Sequence, residues 1–367
     1  MKRREFVSGL GLAAGLSACG GSESSGQAGG DRSRETFRWN MVTSWPPGLP
    51  GTGVGAEKVA QRIADASDGR LQIKVYAGGE LVPALEVFDA VRSGTAQMGH
   101  DASYYHRGKV AAAQYFTCIP FGLNAQEMNA WMYWGGGLEL WQELFAPFGI
   151  VPFPVGNTGV QMAGWFNKEI NSVDDLAGLK IRMPGLGGEV MQRAGALQVT
   201  VPGSEIFTSL QSGAIDAAEW IGPYNDVSLG LHKAAKYYYY PGWHEPGPVI
   251  ECLVNQSAWD SLPADLQQIV KLACQAGVAD MQAEYDWGNA QALKQLQDDP
   301  DVEIRPLPKD VLDTLRGYAR EAVERMSADD EFAARLQTSF DAFQELSSVN
   351  QSVGETAYIN YRTGLCG

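Results

Sequence analysis

The sequence Val91-Arg92-Ser93-Gly94-Thr95-Ala96-Gln97-Met98 decides the fold, because a helical pattern ends in it at a glycine and a strand pattern follows at once. Residues 210–217 read Leu-Gln-Ser-Gly-Ala-Ile-Asp-Ala and repeat this pattern at the same helix-to-strand position. A second copy of one supersecondary unit indicates an internal repeat. The chain is therefore expected to contain two similar α/β units.

Around the first copy, strand patterns alternate with helix patterns. Alternating polar and apolar residues predict strands at 37–41 and 71–75, and a helical period between them ends near Gly69. A further helix is expected after Pro83 and leads into the first copy and its strand. This β-α-β-α-β order predicts a mainly parallel sheet covered by helices.

Strand patterns and helix patterns also alternate around the second copy. The predicted elements before it are a strand at 160–166, a short helix capped by Ser172, a strand at 180–183, a helix at 188–194, a strand at 197–201 and a helix capped by Ser204. A last strand at 249–254 precedes a mostly helical C-terminal third. We interpret the chain as two α/β units followed by helices.

Length and charge narrow the functional class. The chain has 367 residues, more than one hydrophobic core usually holds, so two lobes are expected. Its 28 Lys and Arg against 43 Asp and Glu give a net charge of −15. This balance argues against nucleic acid and anionic membrane surfaces as partners. It does not exclude a small anion held by one local arginine in a closed cleft.

The first nineteen residues have the features of an export signal. Arg3-Arg4-Glu5-Phe6 precedes a short apolar run that ends in Leu16-Ser17-Ala18-Cys19. The run is too short to span a bilayer, and its two ends resemble a twin-arginine signal and a bacterial lipobox. We therefore predict that Cys19 is lipidated, that residues 20–36 are a flexible linker and that the mature protein is periplasmic or otherwise extracytoplasmic. The alternative is an untranslocated flexible N-terminus.

Catalytic signatures are scarce. The sequence has no HExxH, GxSxG or P-loop motif. Residues 51–56 match a loose GxGxxA pattern, but they follow a Pro-rich loop and lack the strand that a dinucleotide site requires. The four histidines are dispersed, and packing or surface roles are the default for His100 and His232. No disulfide is assigned among the remaining cysteines, which lack metal-site spacing: Cys118, Cys252, Cys274 and Cys366.

Three separated segments carry the strongest functional signal: residues 156–165 (GNTGVQMAGW), 180–185 (KIRMPG) and 216–220 (DAAEW). With them, the chain closely resembles the extracytoplasmic solute receptors of TRAP transporters, from roughly Trp39 to Tyr361. The resemblance is most specific to the subgroup that binds 2-oxo or 2-hydroxy monocarboxylates such as pyruvate. Further matching segments are 79–83 (GELVP), 134–137 (WGGG) and 237–243 (YYYYPGW).

The resemblance implies an α/β, two-lobed fold of the periplasmic-binding-protein type II-like class with a helical C-terminal extension. The expected ranges are 37–155 and 248–290 for lobe 1, 156–247 and 291–340 for lobe 2, and 341–367 for the C-terminal helix. The resemblance also implies that the protein is a receptor and not an enzyme. Such a receptor delivers its ligand to the integral membrane permease subunits of a TRAP transporter, and exchange of the C-terminal helix could form a homodimer, with a monomer as the alternative.

Arg182 is the leading candidate for holding the ligand. It ends a predicted strand, where α/β folds commonly place ligand groups, and its planar fork can pair with both oxygens of a carboxylate. Taken alone, such an arginine more often forms a surface or inter-lobe salt bridge. The resemblance reverses that preference and implies that Arg182 binds the carboxylate of the acid.

Glu219 ends another predicted strand among small apolar neighbours. A buried carboxylate there requires a cation or hydrogen bonds, whereas an exposed helix-cap or surface role is the alternative. The resemblance implies that Glu219, the main-chain carbonyl of Trp220 and the side-chain oxygen of Gln161 coordinate a cation. Oxygen ligands suit Na⁺, with Ca²⁺ as the alternative, better than zinc.

The resemblance implies further substrate contacts at the following residues: Tyr104, Tyr105, Asn157, Gln161 and Glu245. His106 and His244 depart from the subgroup, which usually has aromatic residues at these places, so the identity of the acid stays open. Two rival functions also stay open at this point. One is an exported α/β enzyme that acts on a small organic acid, and the other is a ligand-sensing lipoprotein.

Overall fold

The computed structural model describes residues 35–328 and 330–364. The predicted signal peptide, Cys19 and nearly all of the predicted linker therefore lie outside the described residues, as does Cys366. Cys118, Cys252 and Cys274 are free and buried. No helix among the described residues combines the length and apolar character needed to cross a membrane.

Strands and helices alternate along the chain until the last third, which is mainly helical. The strands are β1 (Phe37–Thr43), β2 (Leu71–Tyr76), β3 (Met98–Asp101), β4 (Ile150–Asn157), β5 (Gly164–Phe166), β6 (Lys180–Arg182), β7 (Leu197–Val199), β8 (Ala217–Ala218), β9 (Tyr237–Tyr240), β10 (Val249–Asn255) and β11 (Glu303–Pro306). The α-helices are α1 (Thr52–Ala66), α2 (Val87–Arg92), α3 (Gln114–Thr117), α4 (Ala125–Trp134), α5 (Gly137–Phe145), α6 (Gly185–Arg193), α7 (Gly203–Gln211), α8 (Pro223–Ser228), α9 (Gln256–Ser261), α10 (Ala264–Gln297), α11 (Lys309–Ala328), α12 (Glu331–Val353) and α13 (Glu355–Thr363). Short 3₁₀ helices lie at Ser103–His106, Ala111–Ala113, Ala146–Phe148, Val173–Leu176 and Leu231–Lys233.

The strands form two sheets, as expected for two α/β units. The first sheet has the order β2-β1-β3-β10-β4, and the second has the order β11-β9-β5-β8-β6-β7. The chain passes from one sheet to the other after β4, after β9 and after β10. The two-sheet α/β fold with a helical C-terminal portion agrees with the predicted fold class.

The predicted parallel pairing holds for β1, β2 and β3, but each sheet also contains an antiparallel strand. β1 pairs in parallel with β2 and β3, and β6 does so with β7 and β8. However, β10 is antiparallel to both β3 and β4, and β5 is antiparallel to both β8 and β9. Each of these strands enters its sheet directly from the other sheet, without the helical crossover that makes a strand parallel to its predecessor.

The repeated sequence has the same local structure in both copies. Gly94 and Gly213 end their helical segments with φ of 78° and 71°, a left-handed conformation that favours glycine. β3 follows the first glycine and β8 follows the second, and both strands lie inside their sheets. The residues that follow these two strands, from Ser103 and from Glu219, lead into the site described below.

Three local predictions need correction. The predicted strand at 160–166 is reduced to β5, because the amides of Gln161 and Met162 donate to loop carbonyls of Glu245 and Ile221 and not to a neighbouring strand. The helix predicted at 188–194 begins at Gly185. The helix cap predicted at Ser204 is wrong, because α7 begins after Pro202 with no side-chain cap. The cap at Ser172 is confirmed by a reciprocal capping box.

The long helix α10 joins the two halves of the structure. It packs against β4 of the first sheet and against α8, which follows strand β8 of the second sheet. Gly156 of β4 allows this close approach, because a Cβ atom there would lie 2.2 Å from the sulfur of Met281. The helix runs without interruption through the boundary predicted between 290 and 291, so the domain ranges stay a prediction.

Candidate functional site

Two parallel strands bring Arg182 and Glu219 together. Arg182 is the last residue of β6, and it is paired in register with Ala218, the last residue of β8. Glu219 therefore follows directly beside the arginine. The Nη1 group of Arg182 donates to the main-chain oxygen of Glu219 at 3.0 Å and also to its carboxylate oxygen Oε1. Both side chains are almost completely buried, with exposures of 1% and 0%.

The remaining contacts of Arg182 fix its guanidinium plane. Nη2 donates to the hydroxyl of Tyr105 at 3.2 Å, and the guanidinium carbon lies 5.1 Å from the centre of the Trp220 ring. Burial opposes the charge of Arg182, but attraction to Glu219 raises its pKa above the ordinary value. A permanent cation is thus held in a dry site, where it pairs strongly with carboxylates.

A second pair of polar residues, Gln161 and Glu245, lies close to Glu219. The side-chain Nε2 of Gln161 donates to Oε2 of Glu245 at 2.7 Å, and the amide nitrogen of Gln161 donates to the carbonyl of Glu245 at 3.1 Å. His244 places its Nε2 3.3 Å from Oε2 of Glu219. The pKa of Glu245 is raised well above its ordinary value, mainly by burial and secondly by repulsion from Glu219.

A small cavity lies between these groups and an aromatic wall. Its volume is about 10 Å³, close to that of one water-sized probe. The lining residues are Trp45, Tyr104, Tyr105, Thr158, Gln161, Trp220, Ile221, Glu245, Pro248 and Ile250. Burial raises the pKa of Tyr105 to about 12 and that of Tyr104 well above its ordinary value, so both phenols stay neutral hydrogen-bonding groups at physiological pH.

The residues present fit a hard cation. The carbonyl oxygen Oε1 of Gln161 is buried and has no hydrogen-bond partner among the described residues. Glu219, Glu245 and His244 place potential ligand atoms within 4.8 Å of one another. Two glutamates against one arginine leave negative charge for a cation to balance when both carboxylates are ionised. Oxygen donors dominate this set, as Na⁺ and Ca²⁺ prefer.

Most of the predicted site residues converge, but Asn157 takes a different position. Its Nδ2 donates to the carbonyl of Gly247 at 3.0 Å, and its Oδ1 accepts from the amide of Gly159 at 2.9 Å. Both ends of this side chain therefore brace the loop after β4. Its predicted contact with the ligand stays a prediction.

Sequence reasoning noted His244 only as a departure from the subgroup, without a partner, and it missed half of the cavity wall. His244 directly precedes Glu245, which could have marked it as a neighbour of the site. The apolar wall residues come from distant loops and strands and carry no local signature, and they are Trp45, Ile221, Pro248 and Ile250. His100 is completely buried and accepts a hydrogen bond from Nε1 of Trp45 at 2.7 Å, which agrees with a packing role.

The fold and this site together define a class of protein. Residues 41–330 match the family described as bacterial extracellular solute-binding protein, family 7 (DctP). The chain belongs to this family and is a solute-binding receptor of the TRAP transporter type. Because the family consists of transport receptors, the receptor interpretation holds over that of an exported enzyme.

Individual relatives are similar over almost their whole length. The chain is 43% identical over 361 residues to a monocarboxylate 2-oxoacid-binding periplasmic protein of Nostoc sp. (strain PCC 7120), covering 98% of this chain and 99% of the relative. A TRAP periplasmic solute-binding protein of Pseudoalteromonas atlantica, solved with sodium and pyruvate, is 42% identical, with a TM-score of 0.86 and coverage of 89% and 99%. One of Colwellia psychrerythraea, solved with calcium and pyruvate, is 40% identical, with a TM-score of 0.87 and coverage of 89% and 100%.

Proposed function

We propose that this receptor captures a small 2-oxo monocarboxylate of the pyruvate type, or its 2-hydroxy counterpart, together with a metal ion. The observation that carries the proposal is the buried guanidinium of Arg182 beside Glu219, together with the side-chain carbonyl of Gln161, which has no hydrogen-bond partner in the part of the chain that the structure describes. These groups offer hydrogen bonds to a carboxylate and oxygen ligands to a cation in one place. The pyruvate bound in two similar proteins supports the same ligand class.

Arg182 holds the carboxylate of the ligand in this proposal. In the described arrangement Nη1 donates to Glu219 and Nη2 donates to Tyr105, so the fork forms two parallel hydrogen bonds to the acid by exchanging one of the Nη1 contacts with Glu219. Glu219, Gln161 and the main-chain carbonyl of Trp220 would hold the cation. A bound cation supplies positive charge that favours an acid with a second oxygen next to its carboxylate.

Tyr104, Tyr105 and the apolar wall would enclose the rest of the ligand. Tyr105 can donate its hydroxyl hydrogen to the carboxylate while it accepts from Arg182. Ile221 and Ile250 offer apolar surface to a short alkyl group. A long or strongly polar side chain on the acid finds no matching group on this wall, which favours small 2-oxo acids.

Ligand entry requires a change of shape. A cavity of about 10 Å³ does not hold an acid with several non-hydrogen atoms. The described arrangement therefore corresponds to a closed form, and ligand exchange requires the elements around the site to separate. Binding would then favour the closed form, which the integral membrane permease subunits would recognise.

The choice between Na⁺ and Ca²⁺ belongs to the proposal. The relatives contain one or the other. In this chain Glu219 and Glu245 supply two carboxylates, and a divalent ion balances two negative charges better than a monovalent one. Arg182 already neutralises part of that charge, however, so we retain Na⁺ as the first candidate and Ca²⁺ as the alternative.

The attachment to the membrane and the oligomeric state also belong to the proposal. The sequence around Cys19 supports a lipid anchor, and the Arg3-Arg4 pair supports a twin-arginine export route. Membrane fractionation of a Cys19→Ser variant tests the anchor, and its retention in the membrane fraction would refute it. A homodimer is supported by exposed apolar side chains on α12 and α13.

Isothermal titration calorimetry of Arg182→Lys with pyruvate tests the proposal. Lysine keeps the charge beside Glu219, so the variant is expected to fold, but it cannot form two parallel hydrogen bonds. Affinity should fall by about tenfold or more, since one charged hydrogen bond is worth about 1.5–3 kcal/mol.

Arg305→Lys is the matched control, because Arg305 pairs with Glu169 and Glu303 at the protein surface. It should leave the affinity unchanged. Titrations with Na⁺, Ca²⁺ or a chelator identify the ion. Full affinity of Arg182→Lys, or no binding of 2-oxo acids by the wild-type protein, would refute the proposed ligand class.

A further inference from the structure

One carboxylate holds both ends of the short helix that carries the tyrosine pair of the site. Glu251 lies on β10, and its Oε2 accepts a hydrogen bond from the hydroxyl of Ser103. Its Oε1 lies 2.6 Å from Nε2 of His106. Ser103 and His106 are the first and last residues of the 3₁₀ helix, so Tyr104 and Tyr105 lie between the two points that Glu251 holds.

A second carboxylate completes the cluster from the neighbouring strand. Asp101 is the last residue of β3 and the register partner of Glu251. Its Oδ2 lies 3.5 Å from Nε2 of His106, and its Oδ1 accepts from the hydroxyl of Ser44. All five residues of this cluster, which we call the Glu251 cluster, are at most 3% exposed: Ser44, Asp101, Ser103, His106 and Glu251.

Charge balance favours a proton on the histidine when both carboxylates are ionised. Two ionised carboxylates buried side by side repel each other strongly unless a cation lies between them or one of them takes up a proton. His106 is the group between them. Burial alone would lower the pKa of His106, but attraction to Glu251 and Asp101 raises it above the ordinary value of 6.5. Burial raises the pKa of Asp101 to about 7.

The other charged group that acts on His106 is Lys109, which disfavours its protonation. The amine of Lys109 is paired with Asp89 of α2 at the surface. The ring of Phe88, also on α2, covers the imidazole at a centroid distance of 4.6 Å. The proton on His106 is therefore set mainly by the two carboxylates of the Glu251 cluster.

We propose that Glu251 is a positioning residue of the ligand site, which fixes Tyr104 and Tyr105 through Ser103 and His106, and that protonated His106 keeps this arrangement closed. The proposal rests on the proposed function, since it assumes that the tyrosine pair faces the ligand. The tyrosines connect the cluster to the ligand, because Tyr105 accepts from Arg182 at 3.2 Å and both rings line the cavity.

The proposal makes ligand affinity depend on pH in one direction. A raised pKa in the folded protein means that His106 carries its proton below that pKa and loses it as the pH rises through it. Loss of the proton removes the cation between the two carboxylates and loosens the helix that carries the tyrosines. Protonation of Asp101 below about pH 7 leaves the contact between His106 and Glu251 in place. Affinity should therefore be steady on the acidic side and fall on the alkaline side.

Calorimetry with pyruvate, in the presence of the ion that the wild-type protein requires, tests this between pH 6 and pH 9. Glu251→Gln keeps the shape of the side chain but removes the charge that holds His106 protonated. It should weaken binding by about tenfold at neutral pH and flatten the alkaline decline. Ser103→Ala should weaken binding in the same direction, and it remains informative if Glu251→Gln does not fold.

Ser67→Ala is the matched control. It also removes one buried hydroxyl, but Ser67 belongs neither to the Glu251 cluster nor to the cavity wall, and its Oγ donates to the main-chain oxygen of Ala64 at 3.1 Å. Its affinity should stay within about twofold of the wild-type value, and its alkaline decline should persist. Wild-type affinity in both Glu251→Gln and Ser103→Ala, or an equal loss in Ser67→Ala, would overturn the proposal.

A measurement without ligand separates this proposal from the proposed function. The NMR signal of the His106 ring is identified by its disappearance in His106→Asn. Its titration midpoint should lie above 6.5 in the wild-type protein and move to lower pH in Glu251→Gln. A midpoint below 6.5, or one that Glu251→Gln does not move, would refute the role of protonated His106. If the wild-type protein binds no 2-oxo acid, the proposed function fails while this titration still decides the state of the cluster.

Discussion

Single buried residues carry most of the chemistry of this protein, and several of them are ionisable. Arg182, Glu219, Glu245 and His106 each have exposures of at most 3%. The sequence marked Arg182 and Glu219 because both end strands, and the resemblance gave them roles. The sequence did not mark Glu251, because a glutamate inside an apolar strand belongs to no motif. Its partners Ser103 and His106 are also nearly 150 residues away in the chain.

Asp226 gives a test of buried charge that is independent of the ligand. Its Oδ2 accepts from Nε1 of Trp165 at 3.0 Å and from the hydroxyl of Tyr238 at 2.7 Å. Burial nevertheless raises its pKa to about 7 from an ordinary 3.8. The folded protein therefore binds a proton that the unfolded chain releases between about pH 4 and pH 7, so stability falls as the pH rises through this window.

Asp226→Asn should remove this part of the pH dependence. We expect the wild-type protein to lose on the order of 2 kcal/mol more than the variant between pH 5 and pH 8. Urea unfolding of both proteins at the two pH values measures the difference. Parallel losses in the two proteins would contradict the assignment.

At the scale of elements, helices were easier to predict than strands. α1 ends near Gly69, as its apolar period predicted, and α10 and α11 lie in the C-terminal third that was predicted to be mostly helical. β5, β7 and β8 contain only two or three residues, which is too short for an alternating pattern to define their ends. Their positions depend on hydrogen bonds to neighbouring strands that are distant in the sequence.

Two helical glycines with different surroundings test how tightly the elements pack. In Gly277→Ala, the new Cβ of α10 would lie 2.5 Å from the main-chain oxygen of Val155 on β4. Backbone cannot move aside easily, so a loss of about 1–3 kcal/mol of stability is expected.

Gly317→Ala is the matched control within α11, because its Cβ would have nothing within 4 Å. Alanine has the higher helix propensity, so a gain of up to about 1 kcal/mol is expected there. Thermal unfolding of both variants compares the two effects. Equal shifts in the melting temperature would show that packing against β4 does not limit the first site.

At the scale of the whole molecule, the three passages between the sheets create the site. β3 belongs to the first sheet and leads to Tyr104 and Tyr105, whereas β6 and β8 of the second sheet lead to Arg182 and Glu219. The ligand groups therefore come from both sheets. A change in the relation between the sheets would open or close the site, as a receptor for delivery requires.

The C-terminal helices offer a test of assembly. α12 and α13 expose several apolar side chains, including Val349 at 67% and Val353 at 79%. Exposed apolar surface of this extent indicates a partner, and we propose a second copy of the chain. The double variant Val349→Glu/Val353→Glu should sediment as a monomer where the wild-type protein sediments as a dimer.

Leu272→Glu is the control for this substitution, because Leu272 is an exposed apolar residue on α10, with an exposure of 53%. It should leave the sedimentation coefficient unchanged. Analytical ultracentrifugation distinguishes the two forms. A monomeric wild-type protein, or a double variant that still forms dimers, would contradict the proposed homodimer.

The sequence by itself determined the α/β class, the two related units, the helical C-terminal portion and the family. Local periods of 3.6 and 2 residues, glycines at helix ends and the residue pattern of several short segments suffice for these, since each of these signals lies within a few neighbouring residues. Tertiary structure alone decided that β5 and β10 run antiparallel, that the amide of Asn157 braces a loop, and that His244 lies against Glu219. Tertiary structure alone also placed Glu251 against both ends of the short helix that carries the tyrosine pair. Such contacts join residues far apart in the chain, and their free energy depends on burial and charge that no local pattern contains.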